Sequence, residues 1–566
     1  MTQIANGTTL VTVDCANRPG KLRHIWTSIM FDEINWSYSR RGKQILGFLN
    51  TQVRNRAIET PWYVRNHNTL TSGNCLGAPV SGSTNVYIED EEGNPVYNWE
   101  TIDKIYDSYV ANGFRPIIEF GFMPYDLVPT EYQESSEFGK RDLGIEPYET
   151  GKLKYPPKDF NKWQDLIENL VRHLVERYGE DEVAEWYFEI WNEPDLTNYW
   201  RGTFEDFCKM YDYAGAGARK AFPRVKYGGP ATTHFAPGYL KKFLEHCVSG
   251  RNYVTGETGS QVDFISFHSK GAAFSPRRTY GKPAPVQFPS LRDMAHDIKT
   301  CLEVVTSFPE LAGKPILVDE CDPAVGVLYG MYDNPNFEIW NTPYYPSFVA
   351  ALVGSLLDIG EEVGRPIDFF SHASYYYEAR RWFESNRTLF TNENVAQPIV
   401  AGLQMLSRLG DERIALHTTD ATDPLAETYL PQAAYIGGLA SSTREGDGGD
   451  VEKISVLLWH HADDRTVTGE KEVKLDLENM PFEAGQRIQV KHWRIDRDHS
   501  NAYTVWQNMG RPEEPENKQV ALLKDAMQLG LIEPPFEVQT GAVKDLTFTF
   551  KMPVHSLSLL ELAPVF

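Results

Sequence analysis

The chain has 566 residues, 41% hydrophobic and 23% charged, a composition that supports a sizeable core and excludes a disordered tail or a small disulfide scaffold. With 55 Lys+Arg against 78 Asp+Glu the net charge is −23, which repels nucleic acid and anionic lipid, so neutral or locally recognised substrates are expected. At roughly 150 residues per domain the length allows about four domains, but a closed α/β barrel takes about 250 residues as one unit, so two or three are expected.

No apolar stretch reaches the roughly 18 residues of a membrane helix, and the N-terminus MTQIANGTTLVTV lacks a basic region followed by an apolar core. The expectation is a cytoplasmic protein without membrane or nucleic-acid partners; a signal peptide already removed leaves the same appearance. A homo-oligomer is compatible with the sequence. The six cysteines (Cys15, Cys75, Cys208, Cys247, Cys301, Cys321) have no CxxC or metal-ligand spacing and read as free, buried thiols.

In chain order, TTLVTVDC (8 to 15) reads as a strand standing before the main repeat. From residue 21 to 410 short apolar runs alternate with amphipathic stretches eight times, the pattern of parallel strands joined by crossover helices. The strand candidates are HIWTSIMF (24 to 31), WYVRNHN (62 to 68), RPIIEFGF (115 to 122), EWYFEIWNE (185 to 193), VKYGGPA (225 to 231), DFISFHS (263 to 269), PILVDE (315 to 320) and DFFSHASYY (368 to 376). Eight closes a (β/α)8 barrel. TIDKIYDSYVANG and NKWQDLIENLVRHLVERYG carry helical spacing and end on glycine. From about residue 415 the texture becomes short alternating strands with turn-rich GDGGD and ENMPFEAG between them. Residues 411–566, joined by 1–20, are expected to form an accessory antiparallel β-sandwich beside a catalytic barrel at 21–410.

Reacting groups in such a barrel project from the C-terminal ends of the strands. The fourth candidate ends in Asn192 and Glu193, the seventh in Asp319 and Glu320. Two carboxyls across a pocket suit cleavage of a glycosidic bond: one gives a proton to the leaving oxygen and the other attacks or supports the anomeric carbon. Their mutual repulsion helps keep one protonated. Glu119 and Glu189 precede their strand ends and are expected deeper, paired with Arg65. Alternation turns Asp319 away from Glu320, towards a helix. His67, Asn68 and His268 end strands and are expected to bind sugar hydroxyls or orient an acid. Asn35 and Asn192 are candidates for holding ring hydroxyls. Among Trp36, Phe122, Tyr125, Trp191, Tyr344 and Tyr376, two or three rings are expected to stack on a sugar. No phosphate loop, zinc helix or Ser/His/Asp set is present, which points to hydrolysis without cofactor or metal.

WNEP (191 to 194) and PILVDECDP (315 to 323), with VRNHN (64 to 68), RPIIEFGFMP (115 to 124), DFISFHSKG (263 to 271) and RIDRDHSNAYTVWQNMGRP (494 to 512), resemble glycoside hydrolase family 39 over nearly the whole chain. The resemblance implies Glu193 as general acid/base, Glu320 as nucleophile, Asn192 as a 2-hydroxyl contact, His67 as a sugar contact, and a retaining double displacement with the carboxyls about 5 to 5.5 Å apart.

The family contains β-xylosidases and α-L-iduronidases, whose sugars share the arrangement of groups from C1 to C4. Lys270-Gly271 and Asn386-Arg387-Thr388-Leu389 resemble iduronidase positions that meet the uronic carboxylate. The aspartate that iduronidases carry after the eighth strand is missing from SHASYYYEARRWF, and VRNHNTLTS lacks the iduronidase residues after its histidine. A neutral pentose, released from the end of an oligosaccharide or glycoside, is therefore the favoured substrate, with iduronides and arabinose-containing glycans as alternatives. The exo expectation rests on long segments at 275 to 289 and 325 to 345 that follow strands six and seven. A non-catalytic carbohydrate-binding protein and an inverting enzyme are the other readings, the latter marked by carboxyls about 6.5 to 9.5 Å apart. The sandwich is expected to wall one side of the pocket, with His460 and His461 as edge-strand or functional residues.

Overall fold

The computed structural model describes residues 7–31, 34–55, 60–73, 75, 82–133, 152–274, 284–325, 330–374, 381–384, 387–420, 422–446 and 449–565. Strand β1 (Thr8–Asp14) precedes eight parallel strands: β2 (Ser28–Phe31), β3 (Trp62–Asn66), β4 (Phe114–Phe120), β5 (Tyr187–Ile190), β6 (Lys226–Thr232), β7 (Ile265–Lys270), β8 (Ile316–Asp322) and β9 (Phe369–Ser374). These eight close into a barrel in chain order, β9 pairing with β2. All lie at the stretches expected from the sequence, except that Tyr375 and Tyr376 of the last one fall outside the described residues.

Helices α1 (Glu100–Val110), α2 (Phe160–Tyr178), α3 (Pro237–Ser249) and α4 (Tyr344–Val363) are among those that wrap the barrel. The helical spacing of α1 buries Ile102, Ile105, Tyr106 and Tyr109 together, and the helix is followed by Gly113 at φ 73°, a conformation glycine adopts without steric cost. The Asp159 side chain accepts from the backbone N–H groups of Asn161 and Lys162 to start α2.

Period-two alternation sets the layers inside the barrel. Tyr63, Ile117, Tyr187, Phe264, Leu317 and Phe369 form an apolar floor. Two residues further along four of those strands stand Arg65, Glu119, Glu189 and Asp319, all fully buried. Asp319 therefore points into the barrel, not towards a helix. The register between β7 and β8 slips between Ser266↔Leu317 and His268↔Glu320, placing one extra residue on β8. Such a bulge lets neighbouring residues face the same side, so Asp319 and Glu320 both reach the interior.

The remaining strands are β10 (Glu412–Thr418), β11 (Tyr435–Arg444), β12 (Val451–His461), β13 (Glu470–Glu478), β14 (Arg487–Ile495), β15 (Leu546–Pro553) and β16 (Ser556–Pro564). With β1 and short flanking strands they form one eleven-stranded, mostly antiparallel sheet. β1 sits between β10, antiparallel to it, and β13, parallel to it. The sheet curls so that Val11, Val473 and Leu475 share a core with Ile454, Ile488 and Leu562. β12 is buried on both faces: Ile454, Val456 and Leu458 enter that core, while Leu457 and Trp459 join the barrel core. A side chain at Gly354 of α4 would overlap the Trp459 indole, so these elements meet at close range.

β12 pairs with β11 and β16, which makes it central, and His460 and His461 are fully buried, not at a sheet edge. The hydroxyl of Tyr344 donates to the Asp463 carbonyl at 2.8 Å, so this ring serves the contact between barrel and sheet and not a sugar. Helix α5 (Ala502–Asn508), within the segment 494–512, packs Tyr503 and Trp506 against Phe383 beyond β9. Among the described residues all six cysteines are free, and no helix is long and apolar enough to cross a membrane.

Candidate active site

The site is built upward from the charged layer. Arg65 is fully buried and cannot shed its charge, so its survival there depends on partners. Its Nε lies 2.7 Å from Glu189 and 3.1 Å from Asp319, Nη1 lies 2.9 Å from Glu320 Oε1, and Nη2 donates to Asn192 Oδ1 at 3.1 Å. One guanidinium thus ties the ends of β5 and β8 together. Burial and the neighbouring Glu189 charge push Asp319 well above the usual carboxylate range. Burial also works against ionised Glu189, but Arg65 together with hydrogen bonds from Asp319 and Ser266 outweighs it, and the Glu189 carboxyl stands below its usual range.

Two residues beyond Arg65, His67 bridges Glu119 on Nδ1 and Glu320 Oε1 on Nε2, the latter at 2.9 Å. From β7, Lys270 donates to Glu320 Oε2 at 2.7 Å and also to Asp322. Arg387 Nη1 donates to Asp322 at 2.6 Å and stands 3.8 Å from Glu320. Burial of Glu320 opposes its charge, yet Lys270, His268 and His67 together hold its carboxyl well below the usual range. Asp322 is pushed up by burial against the pull of Arg387 and Lys270.

Across from Glu320, Glu193 is held by a tightly bent strand end. Trp191 and Glu193 adopt φ of 58° and 42°, left-handed values that cost a non-glycine residue energy and concentrate at functional positions. The Glu193 N–H donates to the Ala231 carbonyl at 2.9 Å, Trp191 Nε1 donates to the Tyr199 carbonyl at 2.8 Å, and His268 Nδ1 lies 2.9 Å from Glu193 Oε1. Oxygens of Glu193 and Glu320 and a ring nitrogen of His268 all lie within 4.8 Å of one another. These are also metal-ligand types, but Lys270 and Arg65 already bond both oxygens of Glu320, so the cations balancing this carboxylate belong to the chain.

The other expected contacts divide. Asn192, His67, His268, Lys270 and Arg387 all stand within this network. Asn68, at φ 62°, turns the chain and accepts from Thr71 Oγ1 at 3.1 Å. Both amide atoms of Asn35 are engaged by the Ser83 backbone. Trp36 is half-buried beyond β2, and Trp191 is fully buried between Phe122 and Trp200. Phe122 lies nearly parallel to His67 and Tyr199. Tyr376 and Asn386, with residues 275–283 and 326–329 of the two long segments, lie outside the described residues. Sequence reasoning missed Asp322 and the bonds of Arg65 to Glu320 and Asn192. The available signal was alternation: Asp322 is two residues beyond Glu320, and Arg65 two before His67.

An eight-stranded parallel barrel with two carboxyls converging at its mouth beside a histidine is the architecture of a barrel O-glycosyl hydrolase. The model of Glycosyl hydrolases family 39 matches residues 9–539, and the chain belongs to this family. A β-xylosidase of Geobacillus stearothermophilus is 27% identical over 476 residues, 82% of this chain and 79% of that protein. The solved bacterial orthologue of human α-L-iduronidase superposes with a TM-score of 0.77 at 20% identity, covering 99% of this chain and 84% of that one. A monomeric β-xylosidase from Caulobacter crescentus CB15 gives 0.75 at 19% identity, covering 99% and 100%.

Proposed function

We propose that the protein is a retaining, exo-acting glycosidase that releases neutral pentose, β-D-xylose, from the end of a glycoside, with Glu320 as nucleophile and Glu193 as acid/base. The observation that carries this reading is that Glu193 and Glu320 face one another with an oxygen of each within 4.8 Å, an approach that suits direct attack by one carboxylate while the other serves the leaving oxygen. The roles follow from charge. Glu320 is held ionised by Lys270, His268 and His67, the state a nucleophile needs.

In the first step a Glu320 oxygen bonds to the anomeric carbon while Glu193 gives its proton to the glycosidic oxygen, and the bond to the aglycone breaks. In the second, Glu193 takes a proton from water, whose oxygen attacks the anomeric carbon and releases Glu320. His268, on the Glu193 carboxylate, and Asn192, on Arg65, hold the acid and its neighbour in place.

A neutral sugar is supported by charge balance. Lys270 and Arg387 are already matched by carboxylates of the chain, since Asp322 bonds both and Glu320 also bonds Lys270. The β-xylosidase relative supports the same choice. The α-L-iduronide reading has one observation in its favour, the presence of Lys270 and Arg387 at the mouth. Wild-type protein incubated with the aryl β-D-xyloside, α-L-iduronide, α-L-arabinoside and β-D-galactoside decides between them: release from the xyloside, abolished in Glu320→Gln, is expected. Release from the iduronide alone would overturn the sugar assignment, and binding without release from any member would overturn the enzymatic one.

A further inference from the structure

The loop that leaves β6 carries a feature that the reading above does not use. Among the described residues Phe235 is the most exposed aromatic side chain, at 63%. It directly precedes Ala236, the first flanking residue of α3. At that position an apolar side chain ordinarily packs onto the first turns of the helix, here Leu240. Leu240 is fully buried while Phe235 stands in solvent, so capping of α3 does not explain the ring.

Its surroundings belong to the barrel mouth on the Glu193 side. Ala231, four residues earlier, accepts the Glu193 N–H, and Thr233 bonds the Asp195 carboxylate through both its N–H and its hydroxyl. These bonds fix the 231–235 loop to the loop bearing Glu193. His234 stacks edge-on to Phe235 with ring centroids 4.8 Å apart. Burial draws its imidazole below the usual range, and the charges that act on it are those of Lys270, Glu193, His268 and Asp293, three of them members of the site.

The group that protonates the leaving oxygen lies on the side from which the aglycone departs. We propose that Phe235, braced by His234, is the aglycone platform: its exposed face stacks on the apolar face of the leaving sugar or aryl ring and sets leaving-group preference. An exposed ring that becomes covered by a second ring gains buried apolar area and a favourable stacking geometry.

This inference rests on the xyloside reading, and its test separates the two. Wild type, Phe235→Ala and Phe235→Trp are compared on xylobiose, whose leaving group is a sugar ring, and on β-D-xylopyranosyl fluoride, whose leaving group has no ring to stack. The expected result is a fall of about tenfold in kcat/KM for xylobiose relative to the fluoride in Phe235→Ala, mostly in KM, with recovery in Phe235→Trp. An equal fall on both substrates, or none on xylobiose, overturns the platform. A wild-type protein inert towards both substrates overturns the xyloside reading itself, and the platform with it.

Discussion

Nζ of Lys270 lies 2.7 Å from Oε2 of Glu320, on neighbouring strand ends of β7 and β8. The pair makes a carboxylate in a buried place keep its charge: Lys270 leads the interactions that oppose the burial penalty. A nucleophile is active only when ionised, so activity is present above the depressed value and lost as pH falls through it. Removing the ammonium in Lys270→Met raises the Glu320 carboxyl. The acid limb of kcat/KM against pH moves to higher pH by about 1 to 3 units; an unmoved limb would separate Lys270 from the nucleophile.

Arg65 has five partners (Glu119, Glu189, Asp319, Glu320 and Asn192) at a fully buried position, and loss of its charge leaves Glu119, Glu189 and Glu320 facing one another without it. Arg65→Met is expected to cost about 3 to 5 kcal/mol in denaturant unfolding and to abolish turnover. Asp319→Asn replaces a carboxyl already pushed towards its neutral form and is expected to stay within about 1.5 kcal/mol of wild type in the same measurement. Equal losses in the two variants would contradict the assignment of charge within the layer.

Asp322 bonds both Lys270 and Arg387 and so fixes the sign of the pocket. Asp322→Asn removes the one carboxylate that Lys270 and Arg387 share and leaves the pocket one positive charge above its former balance. Inhibition by L-iduronic acid is expected to strengthen about tenfold or more relative to inhibition by D-xylose. Unchanged inhibition ratios would show that the carboxylate of the sugar does not reach these cations.

At the contact between sheet and barrel the large indole of Trp459 from β12 packs closely against Gly354 of α4. Trp459→Ala is expected to lower unfolding free energy by about 3 to 5 kcal/mol. Calorimetry checks this, and a loss below about 1 kcal/mol would mean that the two parts do not share a core at this point.

The barrel was legible because each parallel strand is a short apolar run punctuated by an amphipathic helix, and because Glu193 and Glu320 end such runs. Trp459 and its neighbours looked like an edge strand with exposed histidines, since KISVLLWHH reads the same whether one face or both are covered. Burial of both faces is settled only by α4, more than ninety residues earlier in the chain. Asp319 was misplaced because strict alternation was assumed through a bulge, and a bulge is created by the partner strand's register. Tyr344 looked like a mouth residue from its place after β8, but it is drawn to the Asp463 carbonyl of a segment over a hundred residues away. Contacts of this kind carry no local signal.

The most direct test of the account is to trap the covalent intermediate. Fluorine at C2 of the sugar weakens the oxocarbenium-like transition state, and a fluoride leaving group lets the first step outrun the second. Wild-type protein is treated with 2-deoxy-2-fluoro-β-D-xylopyranosyl fluoride and its peptides are mapped by mass spectrometry. The predicted result is a single fluoroxylosyl adduct on the peptide containing Glu320, absent from Glu320→Gln. An adduct on Glu193 instead, or turnover of xylosides giving the inverted anomer without any adduct, would contradict it.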